Sequence, residues 1–104
     1  MKAAEIDQVI ATRKLFLVDD PSAEIIVKLG KPQPTPGEND WCCTTQIIGI
    51  GNERVDATYG IDAFQALQLA MKWIGASLSR LNELSGNKLR WEGDETGEFG
   101  FPPL

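Results

Sequence analysis

The sequence predicts an α+β fold: an antiparallel sheet of four to five strands with one long helix packed on one face. Two observations support this prediction. Four strand-like stretches come first, and one long amphipathic stretch with a clear N-terminal cap follows them. A short strand candidate after the helix completes the order ββββαβ. The 104 residues show no internal repeat and no linker, so we expect a single domain spanning residues 1–104.

The first two strands are predicted to form a β-hairpin. Bulky apolar side chains dominate residues 13–18, turn-forming residues occupy 19–22, and β-branched side chains fill the middle of residues 23–30. A connection this short joins antiparallel neighbours. Residues 1–10 fit either a short helix or an irregular lead-in, and both interpretations stay open.

Residues 31–40 are predicted to form a loop. Three prolines at alternate positions, Pro32, Pro34 and Pro36, cannot donate to a strand ladder and favour an extended path. The loop is long for a hairpin connection. It is therefore interpreted either as a binding loop or as a linker that protects a sheet edge.

The third and fourth strands are predicted at residues 41–50 and 54–59, joined by a tight connection. In the fourth strand, Val55, Ala57 and Tyr59 alternate with polar residues. Such alternation predicts one buried and one solvated face.

The helix is predicted to begin after the N-cap Asp62 and to end near Leu84. Asp62 and Gln65 have the spacing of a capping box, and Gly86 is suited to a left-handed C-terminal cap. The apolar stripe is broad, which indicates that a sheet and a further element both cover this helix. Residues 88–92 follow as a fifth strand candidate, and the tail is acidic and then aromatic.

Charge and hydropathy restrict the class of partner. The formal net charge is −5, which disfavours binding to nucleic acid and favours association with a basic protein, although solubility alone also explains an acidic surface. No apolar run reaches the ~18 residues of a membrane span. The N-terminus lacks the apolar core of a signal peptide, so we expect no membrane association and a cytoplasmic location.

Catalytic chemistry is poorly represented. The chain has no histidine, which removes the commonest general base and most zinc sites. Its two cysteines, Cys42 and Cys43, are adjacent and are expected to be free thiols that point to opposite faces of a strand. No phosphate-binding or calcium-binding motif occurs. We therefore expect no enzyme activity, no metal site and no cofactor.

Acidic and aromatic side chains make the best binding candidates, because tryptophan is enriched in interface hot spots and carboxylates suit a cationic surface. Whether they converge depends on the fold, and solvated surface residues are the alternative. The predicted partner-binding residues are Asp19, Asp20 and Glu24 at the first hairpin, Glu38 and Asp40 after the proline loop, and Trp91, Asp94, Glu95 and Glu98 in the C-terminal segment.

Several segments resemble a family of small bacterial proteins of unknown function. They are YGIDAFQALQLA at residues 59–70 followed by Ile74 and Gly75, LRWEG at 89–93 with GFP at 100–102, and, upstream, KPQP at 31–34 and WCC at 41–43. The resemblance implies a helix start, a close-packing glycine and a tail that folds back. It implies no reaction.

By type, the chain also resembles the small acidic immunity proteins of bacterial toxin systems, including contact-dependent growth inhibition. That resemblance implies binding to a basic toxin domain, with a nuclease as the expected kind, and occlusion of its active site. Two alternatives stay open. One is a structural or oligomerising domain, such as a homodimer through an edge strand or through a helix flank around Phe64 and Trp73. The other is a small-ligand binder with an apolar pocket under the helix.

Overall fold

The computed structural model describes residues 6, 8–94 and 97–102, and it confirms the α+β class. One antiparallel sheet carries a single helix, and a short last strand follows that helix. The elements are β1 (Val9–Leu17), β2 (Asp20–Gly30), β3 (Gln33–Pro34), β4 (Trp41–Ile48), β5 (Asp56–Gly60), α1 (Ala63–Leu84) and β6 (Leu89–Arg90).

The sheet runs β6, β1, β2, β4 and β5 from one edge to the other. The two-residue β3 pairs with β4, opposite Cys42 and Trp41, with its register shifted by one residue from the β2–β4 pairing. β3 therefore prolongs β2 along the same side of β4. The predicted loop 31–40 is wrong at this point, because Pro34 occupies a strand position in spite of its missing N–H group.

The first hairpin is tighter than predicted. Leu17 pairs with Asp20, so the turn consists of Val18 and Asp19 alone, and residues 20–22 belong to β2. β1 begins at Val9, which places the end of the ambiguous N-terminal stretch in the sheet.

The helix α1 covers one face of the sheet. The buried apolar core joins β1, β2, α1, β6 and the tail through Leu15, Ile25, Val27, Ile74, Leu78, Leu89 and Phe99. On α1, the buried residues Ala66, Ala70, Ile74 and Leu78 recur at every fourth position, as an amphipathic helix requires.

Both predicted helix caps are confirmed. The Asp62 carboxylate accepts a hydrogen bond from the Gln65 N–H at 2.8 Å, and the Gln65 side chain accepts one from the Ile61 N–H at 2.8 Å. At the other end, Gly86 has a positive φ of 79°. The Asn87 N–H donates to the Asn82 carbonyl at 2.7 Å, which completes a Schellman-type ending.

β5 alternates as predicted, but its polar side faces the helix. The Thr58 hydroxyl donates to the Ala66 carbonyl at 2.9 Å, and Asp56 accepts from the Trp73 indole N–H at 3.1 Å. Ala57 and Tyr59 point to the opposite, exposed side. Polar groups are stable at this helix contact because each finds a hydrogen-bond partner there.

The C-terminal tail folds back onto α1. A Cβ atom added at Gly75 would lie 3.2 Å from the Phe101 Cβ, closer than most real contacts, so a glycine suits this crossing. Phe99 is completely buried in the core. The tail is therefore the further element that the broad apolar stripe of α1 predicted.

Candidate protein-binding surface

Two of the predicted acidic groups lie at the two ends of β6. Asp19, in the first hairpin turn, accepts a hydrogen bond from the Lys88 ammonium at 2.6 Å, and Lys88 immediately precedes β6. Glu92 follows β6 and lies at most about 14 Å along the chain from Lys88. The pairing of Leu17 with Leu89 holds the two segments together. This surface, the acidic edge, consists of the predicted residues Asp19, Asp20, Asp94 and Glu98 together with Glu92, which was not among the predicted site residues.

The aspartates of the hairpin are held in place by neighbouring side chains. The hydrogen bond from Lys88 keeps the pKa of the Asp19 carboxyl below its usual range, so Asp19 is ionised at neutral pH. The Ser22 hydroxyl donates to Asp20 at 2.7 Å. Both carboxylates are exposed, so they are available to a partner.

Trp91 is already engaged within the chain. The Arg13 guanidinium lies 3.9 Å from the centre of the Trp91 ring and 4.8 Å from that of Phe101. It also donates to the Phe99 carbonyl at 2.9 Å. We name this arrangement the arginine clasp, formed by Arg13, Trp91, Phe99 and Phe101. Trp91 thus holds the chain that follows β6 against β1. One face of its ring is not free to anchor a partner.

Arg13 was not among the predicted site residues, although the sequence carries a signal for it. Residues 13, 15 and 17 share one side of β1, and Leu15 on that side is buried. An arginine at a core-facing strand position needs partners, and the aromatic tail supplies them.

Asp94 closes the acidic segment on itself, because its carboxylate accepts a hydrogen bond from the Phe99 N–H at 2.9 Å. The side chain of Asp94 is partly buried, whereas Glu92 and Glu98 are exposed. The predicted residue Glu95 lies outside the described residues.

The remaining predicted acidic residues do not join the acidic edge. Glu24 lies on the sheet face opposite α1, 3.8 Å from the Lys14 ammonium. Glu38 and Asp40 lie in the β3–β4 connection, beyond the far end of β2. From Ile25 to Pro34 the chain extends by up to about 30 Å at strand rise, so the β3–β4 connection lies at the other end of the sheet from the first hairpin turn.

A groove with a volume of about 610 Å³ lies between the second half of α1 and the β4–β5 connection. The pairing of β4 with β5 extends only as far as Thr45 and Asp56. The last three residues of β4, 46–48, therefore have no β5 residue beside them. The groove opens beside α1, whereas the predicted ligand pocket would lie beneath it, where core side chains are buried. Its apolar lining comes from Ile47, Ile50, Trp73, Ile74, Leu81 and Leu84.

The helix flank predicted for dimerisation is not one surface. Phe64 and Trp73 are both exposed, at 78% and 43%. They are nine residues apart, which is two and a half helical turns and places them on opposite sides of α1. A single partner surface cannot cover both in the way the prediction assumed.

The two thiols are free, as predicted. Cys43 is buried beneath α1 and its Sγ donates to the Gly30 carbonyl at 3.3 Å. Burial raises the pKa of the Cys43 thiol to about 11. The described residues contain no group of three or more potential metal ligands, and in the same part of the chain no helix has the length and apolar character needed to cross a bilayer.

A family model described as Domain of unknown function (DUF6968) matches residues 11–103 of the chain. No curated protein and no solved structure matches the chain.

Proposed function

Because the chain belongs to the DUF6968 family, a domain of unknown function, we propose its role from its surface: it is a cytoplasmic immunity protein that binds a basic bacterial toxin domain through the acidic edge. In this role the chain blocks the active site of its partner and catalyses no reaction. A nuclease is the partner class that suits it best, because carboxylates can occupy a site built for phosphates.

The observation that supports this proposal is the position of β6. Two acidic groups that are about 70 residues apart in sequence flank this short strand, as the contact between Lys88 and Asp19 shows. Glu92 lies at most about 14 Å along the chain from Lys88, the residue that Asp19 contacts, and this chain length fits within one side of a standard interface, which buries about 800 Å² per partner. One rigid partner can therefore contact both groups at once.

The cations near the hairpin turn and β6 are engaged by other groups in the part of the chain that the structure describes. The guanidinium of Arg13 is held by the arginine clasp, and Arg90 donates to the Asn87 and Leu89 carbonyls at 2.8 Å. Lys88 pairs with Asp19 alone among the described carboxylates. Exposed carboxylates such as Asp20 and Glu92 then steer a basic partner and raise its association rate.

The test is a charge reversal with a matched control. Asp20→Lys combined with Glu92→Lys changes the acidic edge at two exposed positions, and Glu38→Lys combined with Glu83→Lys makes the same charge change elsewhere. Proteins captured by the native chain from its host cell are identified and expressed alone and together with the chain.

We expect a basic captured protein that arrests growth when expressed alone and that the native chain neutralises. Reversal at the acidic edge should slow association by about tenfold or more, whereas the control pair should retain binding. A partner that binds both variants equally well would contradict the site, and a partner without toxicity would contradict the immunity role.

A further inference from the structure

The groove beside α1 is open, although apolar side chains line it. Leu84 remains 73% exposed and Trp73 remains 43% exposed, in spite of lining a 610 Å³ space. Enclosed sites for small molecules bury most of the ligand. A groove with such exposed walls suits a segment of protein chain, which needs contact on one side only.

The connection that forms one wall of the groove is held in a defined conformation. Glu53 has a positive φ of 58°, and its carboxylate accepts a hydrogen bond from the Gly49 N–H at 2.8 Å. The Gln46 side chain donates to the Glu53 carbonyl at 2.9 Å. A wall that is already ordered loses little entropy when a partner binds.

The charged side chains that line the groove differ in how they are engaged. Asp56 accepts from both the Arg54 Nε at 3.2 Å and the Trp73 indole at 3.1 Å, and Glu53 keeps its charge while it accepts from the Gly49 N–H. Arg80 makes no hydrogen bond or ion pair with another described residue. Arg80 and Trp73 lie two helical turns apart on the same side of α1, about 10 Å along its axis, so the groove presents an unpaired guanidinium and an indole on one wall.

We propose that the groove docks a short segment of a partner protein that carries a carboxylate next to a large apolar side chain. The carboxylate binds the Arg80 guanidinium, which has the planar geometry for a two-point hydrogen bond. The apolar side chain lies against Trp73 and Ile50, which both line the groove, and tryptophan and arginine are the residues that most often dominate binding energy at interfaces. This occupant is opposite in charge to the partner of the acidic edge, so the two surfaces select different segments.

The test begins with a library of random heptapeptides displayed on phage and selected on the full chain. We expect enrichment of peptides in which Asp or Glu lies next to Leu, Ile, Phe or Trp. A selected peptide is then synthesised and titrated against the chain, with the fluorescence of the tryptophans as the signal.

Arg80→Glu should weaken binding of this peptide by tenfold or more, since a hydrogen-bonded charge pair contributes about 1.5–3 kcal/mol. Lys31→Glu makes the same charge change at an exposed position outside the groove, and it should leave the affinity within about twofold, as expected for a screened distant charge. Asp20→Lys with Glu92→Lys should also leave it unchanged, which separates this site from the acidic edge.

Three results would each overturn the proposal. The first is a selection with no enrichment over an unrelated protein, and the second is enrichment of basic peptides. The third is a selected peptide that binds the Arg80→Glu variant as tightly as the native chain.

Discussion

Replacing Arg13 by alanine should release the C-terminal tail and destabilise the whole domain. The substitution removes a charged donor to the Phe99 carbonyl at 2.9 Å and the stacking of Arg13 on Trp91 and Phe101. A hydrogen bond to a charged group contributes about 1.5–3 kcal/mol and each cation–π contact about 0.5–1 kcal/mol. Together these terms predict a loss of about 3 kcal/mol in the free energy of unfolding.

Urea unfolding measures this loss. For a small domain, about 3 kcal/mol corresponds to a fall of about 1–3 M in the urea midpoint. Arg13→Lys keeps the charge but loses the planar stacking and the fork of donors, so it should lose about half as much. Arg54→Ala is the matched control, because the pair of Arg54 with Asp56 is largely exposed and should contribute at most about 1 kcal/mol.

The same variant should also impair the acidic edge, because the arginine clasp holds Glu92 and Glu98 near β1. Trypsin cleavage after Arg90 should become faster as the tail separates. If Arg13→Ala unfolds at the same urea concentration as Arg54→Ala, or if Arg13→Lys is as stable as the native chain, the arginine clasp does not hold the tail.

Further substitutions test the helix, the core thiol and the β5–α1 junction. Asp62→Ala should lower the free energy of unfolding by about 1 kcal/mol in thermal unfolding followed by circular dichroism, because the Gln65 N–H loses its cap. Between pH 9, where the thiol ionises in the unfolded chain, and about pH 11, where it ionises in the folded one, stability should fall with rising pH. The slope should be about 1.4 kcal/mol per pH unit, since only the unfolded state releases the proton; Cys43→Ala should lack that component in urea titrations across this range. Gly60→Ala should destabilise by about 1–3 kcal/mol in urea, because its Cβ would lie 2.6 Å from the Ala66 backbone nitrogen.

Local signals predicted most of the fold correctly. Three features of α1 depend on residues within one or two helical turns of each other: the capping pair of Asp62 and Gln65, the apolar periodicity and the Gly86 cap. Such features can be predicted from the local sequence. The strand alternation in β5 is equally local. The boundaries at Asp20 and Pro34 were missed because cross-strand pairing overrides the preferences of single residues.

The candidate site was only partly predictable, because it depends on contacts between distant segments. Asp19 and Glu92 lie near the two ends of β6 only because β6 pairs with β1. Glu38 follows β3 and lies at the other end of the sheet. Trp91 was predicted as an anchor for a partner, yet Arg13 occupies one face of its ring. The position of Asp56 and Thr58 against α1 was not predictable from their polarity, since it depends on acceptors and donors that α1 supplies.

The most direct test of the acidic edge is the association rate of the chain with its captured basic partner, measured by stopped-flow fluorescence as salt rises from about 0.05 to 0.5 M. Electrostatic steering by the acidic edge predicts a steep fall of about tenfold or more for the native chain and a much flatter profile for Asp20→Lys with Glu92→Lys. An association rate that is independent of salt in the native chain would contradict it.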